Sequence, residues 1–317
     1  MSQTLSPPPF DEKLTFSLNS NVALNSNLTP ASDPTKPLRS NFSSAQQAPF
    51  PTGAIGVFDS GLGGLSVLRA LSETLPGERF VYVADSKHAP YGAQSDDFIA
   101  ARSLAIGGWL AENGAKMLVV ACNTATAHAI VVLRSRLAIP IVGVEPGVKP
   151  AALATQTGVV GILATEATLR SARFADLLAR HGNRARFVTQ AGHGLVEAIE
   201  RGDTDSPEVM ALLESYLRPM IDAKADCLVL GCTHYPFLAS AIRSISGDPL
   251  AIVDTSAAVA RQAQKLIFLA PKIPLSSATE FSQPRSWFFS ADLSEKTRLV
   301  ATQMHTGAWE SMQPLSE

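Results

Sequence analysis

The sequence lacks a hydrophobic run long enough to cross a membrane as a helix, which needs about 20 consecutive apolar residues. Its first residues also lack the basic segment followed by an apolar one that marks a secretory signal. Together these absences predict a cytoplasmic protein. Hydrophobic residues make up 46% of the 317 positions, so the chain can still bury a sizeable core.

Charge and cysteine are also scarce. The formal net charge is only −2, so no broad positive field would draw the protein to nucleic acid or to an acidic membrane surface. The three cysteines, Cys122, Cys227 and Cys232, are too few for a disulfide scaffold and lack the spacing of a structural zinc site. We therefore expect reduced thiols and no bound metal.

Residues 1–50 are rich in Ser, Pro, Asn and Thr and lack a sustained apolar period, which predicts a disordered N-terminal arm. From residue 54 onward, apolar runs of strand length alternate with amphipathic segments. This pattern is typical of an α/β fold with parallel sheets covered by helices. The predicted strands are 54–59, 79–85, 116–122, 140–144, 158–164, 186–190, 227–232, 250–254 and 286–290.

Two of these strands end alike, with ACNTA at 121–125 and GCTHYP at 231–236. This weak internal repeat predicts two similar lobes, each a mostly parallel sheet flanked by helices. Open α/β sheets bind ligands at the C-terminal ends of their strands, so the active site would lie in the cleft between the lobes. Proline-rich residues 145–150 are a plausible first crossing, which gives a first lobe of 53–146 plus 256–317 and a second lobe of 147–255.

Two glycine-containing loops could approach a ligand closely. FDSGLGGL at 58–65 follows a strand and precedes a helical pattern, and APYG at 89–92 forms a rigid turn after the next strand. Either loop alone is read equally well as an ordinary turn. The first one also lacks the G-x-G-x-x-G pattern of a dinucleotide loop.

The cysteines of the repeat carry the chemical signal. A single free cysteine is usually a small buried hydrophobe, and we assign Cys227, at the start of its strand, that role. Cys122 and Cys232 instead lie at matching strand ends, each before a helix start that can lower a thiol pKa and so favour proton transfer. His234 shares its loop with Cys232 and could assist it.

Taken together and in this order, FDSGLGGL, APYG, ACNTA and GCTHYP resemble the motifs of the glutamate racemases of bacterial peptidoglycan synthesis. The resemblance runs from about residue 54 to about residue 269. It implies a cofactor-independent isomerase that interconverts L- and D-glutamate and so supplies D-glutamate for the cell wall. The parent group also contains aspartate racemases and other thiol-using isomerases and decarboxylases, which remain alternatives.

The resemblance also implies roles for individual residues. Cys122 and Cys232 would be the two acid/base groups, acting against D-glutamate and L-glutamate respectively, with Asp59 and His234 assisting. Glu197 would match a further carboxylate near the second cysteine, and Glu200 is a neighbouring choice. The residues that would bind substrate are Asp59, Ser60, Tyr91, Gly92, Asn123, Thr124, Thr165, Thr168, Thr233 and His234.

Two rival functions make different demands on the chain. Pyridoxal phosphate chemistry would need a lysine beside a phosphate cup, whereas Lys116 begins a strand and Lys149 adjoins a proline. A two-lobed protein that only binds an amino acid would need the hydroxyls but not the thiol pair. A homodimer, and activation by a UDP-muramoyl-alanine precursor, are left open by the resemblance.

Overall fold

The computed structural model describes residues 39–40, 49–247, 250–269, 285–305 and 307–316. Both sheets belong to one compact unit, residues 34–317. The strands in the described residues are β1 (Arg39–Ser40), β2 (Ile55–Asp59), β3 (Arg79–Ala84), β4 (Met117–Val120), β5 (Ile141–Gly143), β6 (Val159–Ala164), β7 (Arg186–Ala191), β8 (Cys227–Gly231), β9 (Ala251–Val253), β10 (Arg285–Ser290) and β11 (Trp309–Ser316).

Helices fill most of the connections between these strands. They are α1 (Leu65–Thr74), α2 (Asp96–Glu112), α3 (Asn123–Arg136), α4 (Val148–Ala154), α5 (Glu166–Arg170), α6 (Ala172–Ala179), α7 (Leu195–Glu200), α8 (Pro207–Asp222), α9 (Ala239–Ser246), α10 (Ser256–Leu269) and α11 (Glu295–Met304). Short 3-10 helices lie at Ser86–His88, Tyr91–Ala93 and Tyr235–Leu238. None of the helices in the described ranges is both long and apolar enough to span a membrane.

The first sheet has the strand order β1-β11-β10-β3-β2-β4-β5. All of its neighbours are parallel except β1 and β11. Its central strands are buried on both faces, which is why β2 and β4 are almost continuous apolar runs. Helices α2 and α3 cover one face, and α1 and α10 cover the other.

The second sheet is smaller and wholly parallel, in the order β7-β6-β8-β9. One face packs on α7, α8 and α9, and the other packs on α4 and α6. The structure thus confirms the predicted α/β fold, in which each of two lobes contains a mostly parallel sheet. It also has a strand at each of the nine predicted positions. The strands of the two sheets fall on either side of 146/147 and 255/256, and the lobe boundaries themselves stay predictions.

Part of the predicted N-terminal arm is ordered. Arg39–Ser40 pairs with the end of β11, and Phe50 is buried with its ring edge-on to Trp109 and Phe289. A single aromatic ring can bury enough area to order its neighbours although the segment has no apolar period. The N-terminal arm of residues 1–50 stays a prediction, and residues 1–38 and 41–48 lie outside the described residues.

Candidate active site

Strand register brings the predicted site residues together at one edge of each sheet. Phe58 of β2 pairs with Val120 of β4, so the loops that follow these two strands leave the first sheet side by side. Ala164 of β6 pairs with Gly231 of β8, so Thr165 and Cys232 leave the second sheet in the same way. Because neighbouring parallel strands end at the same edge of a sheet, the residues that form each half of the site lie next to one another.

These loops line a common cleft between the lobes. Almost every residue that the sequence assigned to the substrate site contributes to its wall, and Pro90 and Val196 join them. The lining residues are Ser60, Pro90, Tyr91, Gly92, Cys122, Asn123, Thr124, Thr165, Val196, Cys232, Thr233 and His234. The cleft therefore holds both candidate thiols, which come from different sheets.

Cys122 caps the N-terminus of α3 and lies beside a buried carboxyl group. Its sulfur accepts the Ala125 N–H at 3.4 Å and lies 3.6 Å from Ser60 Oγ. Asp59, which is fully buried, accepts the Gly64 N–H at 2.8 Å through Oδ2. Its Oδ1 has no hydrogen-bond partner in the described part of the chain, so this oxygen is available for a proton.

The pKa of Cys122 is raised, although the helix start acts on it in the direction that the sequence suggested. Burial raises the pKa of this thiol well above its ordinary value, the charge of Asp59 raises it further, and the hydrogen bonds with Ala125 and Ser60 offset only part of this. Burial likewise raises the pKa of Asp59. Burial in the closed cleft therefore shifts both groups toward their protonated forms.

Cys232 belongs to a second hydrogen-bonded group. His234 Nδ1 lies 3.6 Å from Cys232 Sγ, and His234 Nε2 lies 2.5 Å from Glu200 Oε1. Burial alone would lower the pKa of His234, but its hydrogen bonds to Cys232 and Glu200 raise that pKa well above its ordinary value. A protonated His234 can donate to both partners at once. The residues after Cys232 form a 3-10 helix, not the α-helix start expected from the repeat.

Three threonine hydroxyls bridge the lobes at one end of the cleft. Thr124 Oγ1 lies 2.9 Å from Thr165 Oγ1 and 3.3 Å from Thr168 Oγ1, and Thr165 Oγ1 lies 2.9 Å from Thr168 Oγ1. All three side chains are buried. Each hydroxyl can rotate to donate one hydrogen bond, so the group suits a carboxylate ligand.

A buried ion pair supports the APYG loop. Arg102 contacts the Asp85 carboxylate with two nitrogens, at 2.7 and 2.8 Å, and neither side chain is exposed to solvent. Tyr91 donates its hydroxyl hydrogen to Asp85 Oδ2 at 2.7 Å. The ring of Tyr91 also packs against Phe58 and Phe98. Tyr91 and Gly92 are thus held against the cleft from the side of the first sheet.

The two glutamates of α7 lie in different environments. Glu197 is exposed and lies outside the cleft lining, whereas Glu200, the neighbouring choice, is the one that contacts His234. One helical turn separates the two positions, so a motif match that aligns loosely cannot distinguish them. Of the other predicted residues, Thr168 belongs to the hydroxyl group and Asp59 lies behind Cys122. The described residues contain no cluster of three or more His, Cys, Asp or Glu side chains arranged for a metal.

Comparison with known proteins agrees with this geometry. The family model described as Asp/Glu/Hydantoin racemase matches residues 55–263. The chain belongs to this racemase family. Curated relatives include the glutamate racemase of Ralstonia pickettii, 59% identical over 65% of this chain and 73% of the relative, and that of Pseudomonas aeruginosa, 50% identical over 74% and 88%.

Solved structures of the family share the architecture. The glutamate racemase of Escherichia coli, in complex with L-glutamate and the activator UDP-MurNAc-Ala, has a TM-score of 0.74 and 32% identity, covering 84% of this chain and 99% of that one. The RacE1 glutamate racemase of Bacillus anthracis has a TM-score of 0.73 and 28% identity, covering 83% and 97%. The matching region of the racemase family model includes both cleft cysteines.

Proposed function

We propose that this chain is a glutamate racemase that interconverts L- and D-glutamate by proton transfer between two thiols, without a cofactor. The observation that carries the proposal is the pair Cys122 and Cys232, which come from separate sheets and face one cleft. Racemisation removes the α-proton from one face and returns a proton to the other, so two opposed acid/base groups meet its geometric requirement. A protein that only binds an amino acid would have no use for them.

Cys232 exchanges its proton with the help of His234 and Glu200. When Cys232 acts as the base, it must be a thiolate, and a protonated His234 stabilises that thiolate through Nδ1 while Glu200 stabilises the imidazolium through Nε2. When Cys232 acts as the acid, its proton passes to the substrate carbanion. His234 then restores the thiol.

Cys122 works beside Asp59 in the same manner. The Ala125 N–H donates to the sulfur and so lowers the cost of forming a thiolate in a buried place, and Asp59 Oδ1, which has no hydrogen-bond partner among the described residues, can accept the thiol proton. The substrate ammonium would further favour the charged forms of Asp59 and Cys122 when it enters the cleft. By resemblance to the family, Cys122 deprotonates D-glutamate and Cys232 deprotonates L-glutamate.

Substrate carboxylates are bound by neutral donors. The three hydroxyls of Thr124, Thr165 and Thr168 can donate hydrogen bonds to one carboxylate. The remaining wall of the cleft is lined by Ser60, Asn123 and Thr233. Fixed donors of this type stabilise the carbanion-like transition state in a cleft with little water. The choice of glutamate over aspartate is supported by the names of the relatives, and one methylene is worth only about 1 to 3 kcal/mol in a pocket.

Deuterium incorporation tests the proposal. The purified protein is incubated with L-glutamate in deuterated water, and α-deuterium in both enantiomers is measured by mass spectrometry after chiral separation. Racemisation incorporates deuterium at Cα of the D enantiomer as it forms. Retention of the α-hydrogen in a folded protein would refute the proposal, and an equal kcat/KM with aspartate would refute the narrower substrate assignment.

We further propose that the product is D-glutamate for peptidoglycan synthesis in the cytoplasm, by a homodimer that a UDP-muramoyl-alanine precursor activates. The activator bound to the Escherichia coli relative supports this regulation. Racemisation by the full chain should accelerate when UDP-muramoyl-alanine is added. An unchanged rate across saturating concentrations would refute the activation, and light scattering would test the dimer.

A further inference from the structure

The FDSGLGGL loop of the first lobe contacts the group formed by Glu200, His234 and Cys232 in the second lobe. The Leu62 N–H donates to Glu200 Oε1 at 2.6 Å, which is the same oxygen that contacts His234. Gly61 lies so close to this carboxylate that a Cβ at position 61 would come within 2.1 Å of Glu200 Oε1. The position of the Glu200 carboxylate therefore depends on the orientation of the peptide between residues 61 and 62.

One side chain fixes that peptide. Tyr82 of β3 is completely buried and donates its hydroxyl hydrogen to the Gly61 carbonyl at 2.7 Å. Its ring stacks on Phe288 at 5.8 Å with nearly parallel planes, which prevents the hydroxyl from following a shifted loop. Burial, together with the charges of Asp59 and Glu200, raises the pKa of Tyr82 well above its ordinary value, so the hydroxyl keeps its proton.

We propose that Tyr82 is a positioning residue for the Cys232 half of the reaction, acting through the Gly61 carbonyl, the Leu62 N–H and the Glu200 carboxylate on His234. This rests on the proposed two-thiol racemase. Tyr82 lines no part of the cleft, and four hydrogen bonds in sequence connect it to the sulfur of Cys232.

The Cys122 half is held by other means. Asp59 lies on β2, where its register is fixed by pairing with Ala84, and Cys122 is fixed as the cap of α3. The Gly64 N–H that the Asp59 carboxyl accepts belongs to the N-cap residue of α1 and is positioned by that helix. Loss of the Tyr82 hydroxyl removes none of these restraints. Tyr82→Phe should therefore affect one half of the reaction and spare the other.

Racemisation itself cannot reveal such a one-sided effect. The two enantiomers have the same free energy in water, so kcat/KM must fall equally in both directions. Elimination from a β-chloro analogue of glutamate avoids this restriction. The thiolate takes the α-proton, the Cα–H electron pair forms the Cα=Cβ bond and chloride leaves with its bonding pair. The resulting enamine becomes an imine and is hydrolysed to keto acid and ammonia, so only one thiol is needed.

The experiment compares keto-acid release from both enantiomers of this analogue. Tyr82→Phe should reduce kcat/KM about three- to tenfold for the L analogue, the effect of one lost hydrogen bond, and leave the D analogue within about twofold. A general loss of structure would lower both rates together. Equal losses for the two enantiomers, or an unchanged rate with the L analogue, would overturn the proposal.

Two further variants make the result decisive. Gly61→Ala pushes on the flexible end of Glu200 and should give the same one-sided loss, which decides the matter if Tyr82→Phe does not fold. Tyr216→Phe removes a tyrosine hydrogen bond to the His193 carbonyl, away from the loop, and should change neither rate.

The cysteine variants separate this proposal from the function on which it rests. Cys122→Ser should retain elimination from the L analogue, and Cys232→Ser should retain it from the D analogue. If they do not divide in this way, the two-thiol assignment fails. If the cysteine variants do divide in this way, but Tyr82→Phe and Gly61→Ala both behave like the wild type, only the proposed role of Tyr82 fails.

Discussion

The imidazole of His234 lies directly against the backbone of Gly63. A Cβ at position 63 would come within 2.2 Å of His234 Nδ1, and the Gly63 N–H points at His234 Nε2 from 3.2 Å. These two residues belong to different lobes and are 171 positions apart in the sequence. The second glycine of the FDSGLGGL loop is thus required because an aromatic ring of the opposite lobe occupies the space of a side chain.

Gly63→Ala should therefore disable the site while leaving the fold intact. The added methyl group must displace the His234 ring, and a displacement of about 1 Å in an acid/base group can cost on the order of 100-fold in rate. Racemisation rate and thermal unfolding are measured together. Gly108→Ala in α2, where an added Cβ meets nothing within 4 Å, serves as the control. It should retain full activity and gain roughly 0.5 to 1 kcal/mol of stability.

Separate replacement of the two glutamates of α7 by glutamine distinguishes their roles. Glu200→Gln removes the charge that helps to raise the pKa of His234, so we expect a loss of about tenfold or more in kcat and a shift of the corresponding pH limb to lower pH. Glu197→Gln changes an exposed side chain and should have little effect. The assignment is contradicted if the Glu197 variant shows the larger loss.

The sequence was most informative where chemistry and strand pattern coincide. Both cleft cysteines, the threonines and His234 lie within a few residues of apolar strands, so their position at strand ends could be predicted. The carboxylate partner of His234 could not, because α7 carries two glutamates and only tertiary packing brings Glu200 against His234.

The supporting residues and the pKa shifts could not be predicted from the sequence pattern for the same reason. Tyr82 and Arg102 look like ordinary strand and helix residues, and their importance lies in contacts with Gly61 and Asp85 that no local spacing reveals. The raised pKa of Cys122 was missed because the helix start is local, whereas the burial that outweighs it depends on the closed fold.

Lys224 adopts a left-handed backbone conformation with φ of 64° just after α8. This left-handed conformation costs a residue with a Cβ roughly 1 to 2 kcal/mol of conformational free energy and costs glycine almost nothing. Lys224→Gly should therefore raise the free energy of unfolding by about 1 kcal/mol with racemisation unchanged, as measured by denaturant unfolding. Ala223→Gly, at a right-handed position next to it, should bring no such gain.

His305 makes stability depend on pH below neutrality. It is 8% exposed, its ring lies 4.1 Å from that of Trp309, and neither ring nitrogen hydrogen-bonds to any residue that the structure describes. Burial, and secondarily the charge of Arg69, lower the pKa of His305 to about 4. The ordinary value in an unfolded chain is about 6.5.

The sign of the effect follows from where the proton binds. Between pH of about 6.5 and about 4 the unfolded chain protonates His305 and the folded protein does not, so its stabilising contribution is complete above this window and is lost as pH falls through it. His305→Met should remove a decrease on the order of 2 kcal/mol in unfolding free energy between pH 7 and pH 4. Carboxylates elsewhere add their own slope, so the decisive quantity is the difference between variant and wild type. His193→Met, which replaces an exposed histidine, should leave the wild-type slope in place. Identical slopes in the His305 variant and the wild type would show that His305 takes up its proton in the folded protein as readily as in the unfolded chain.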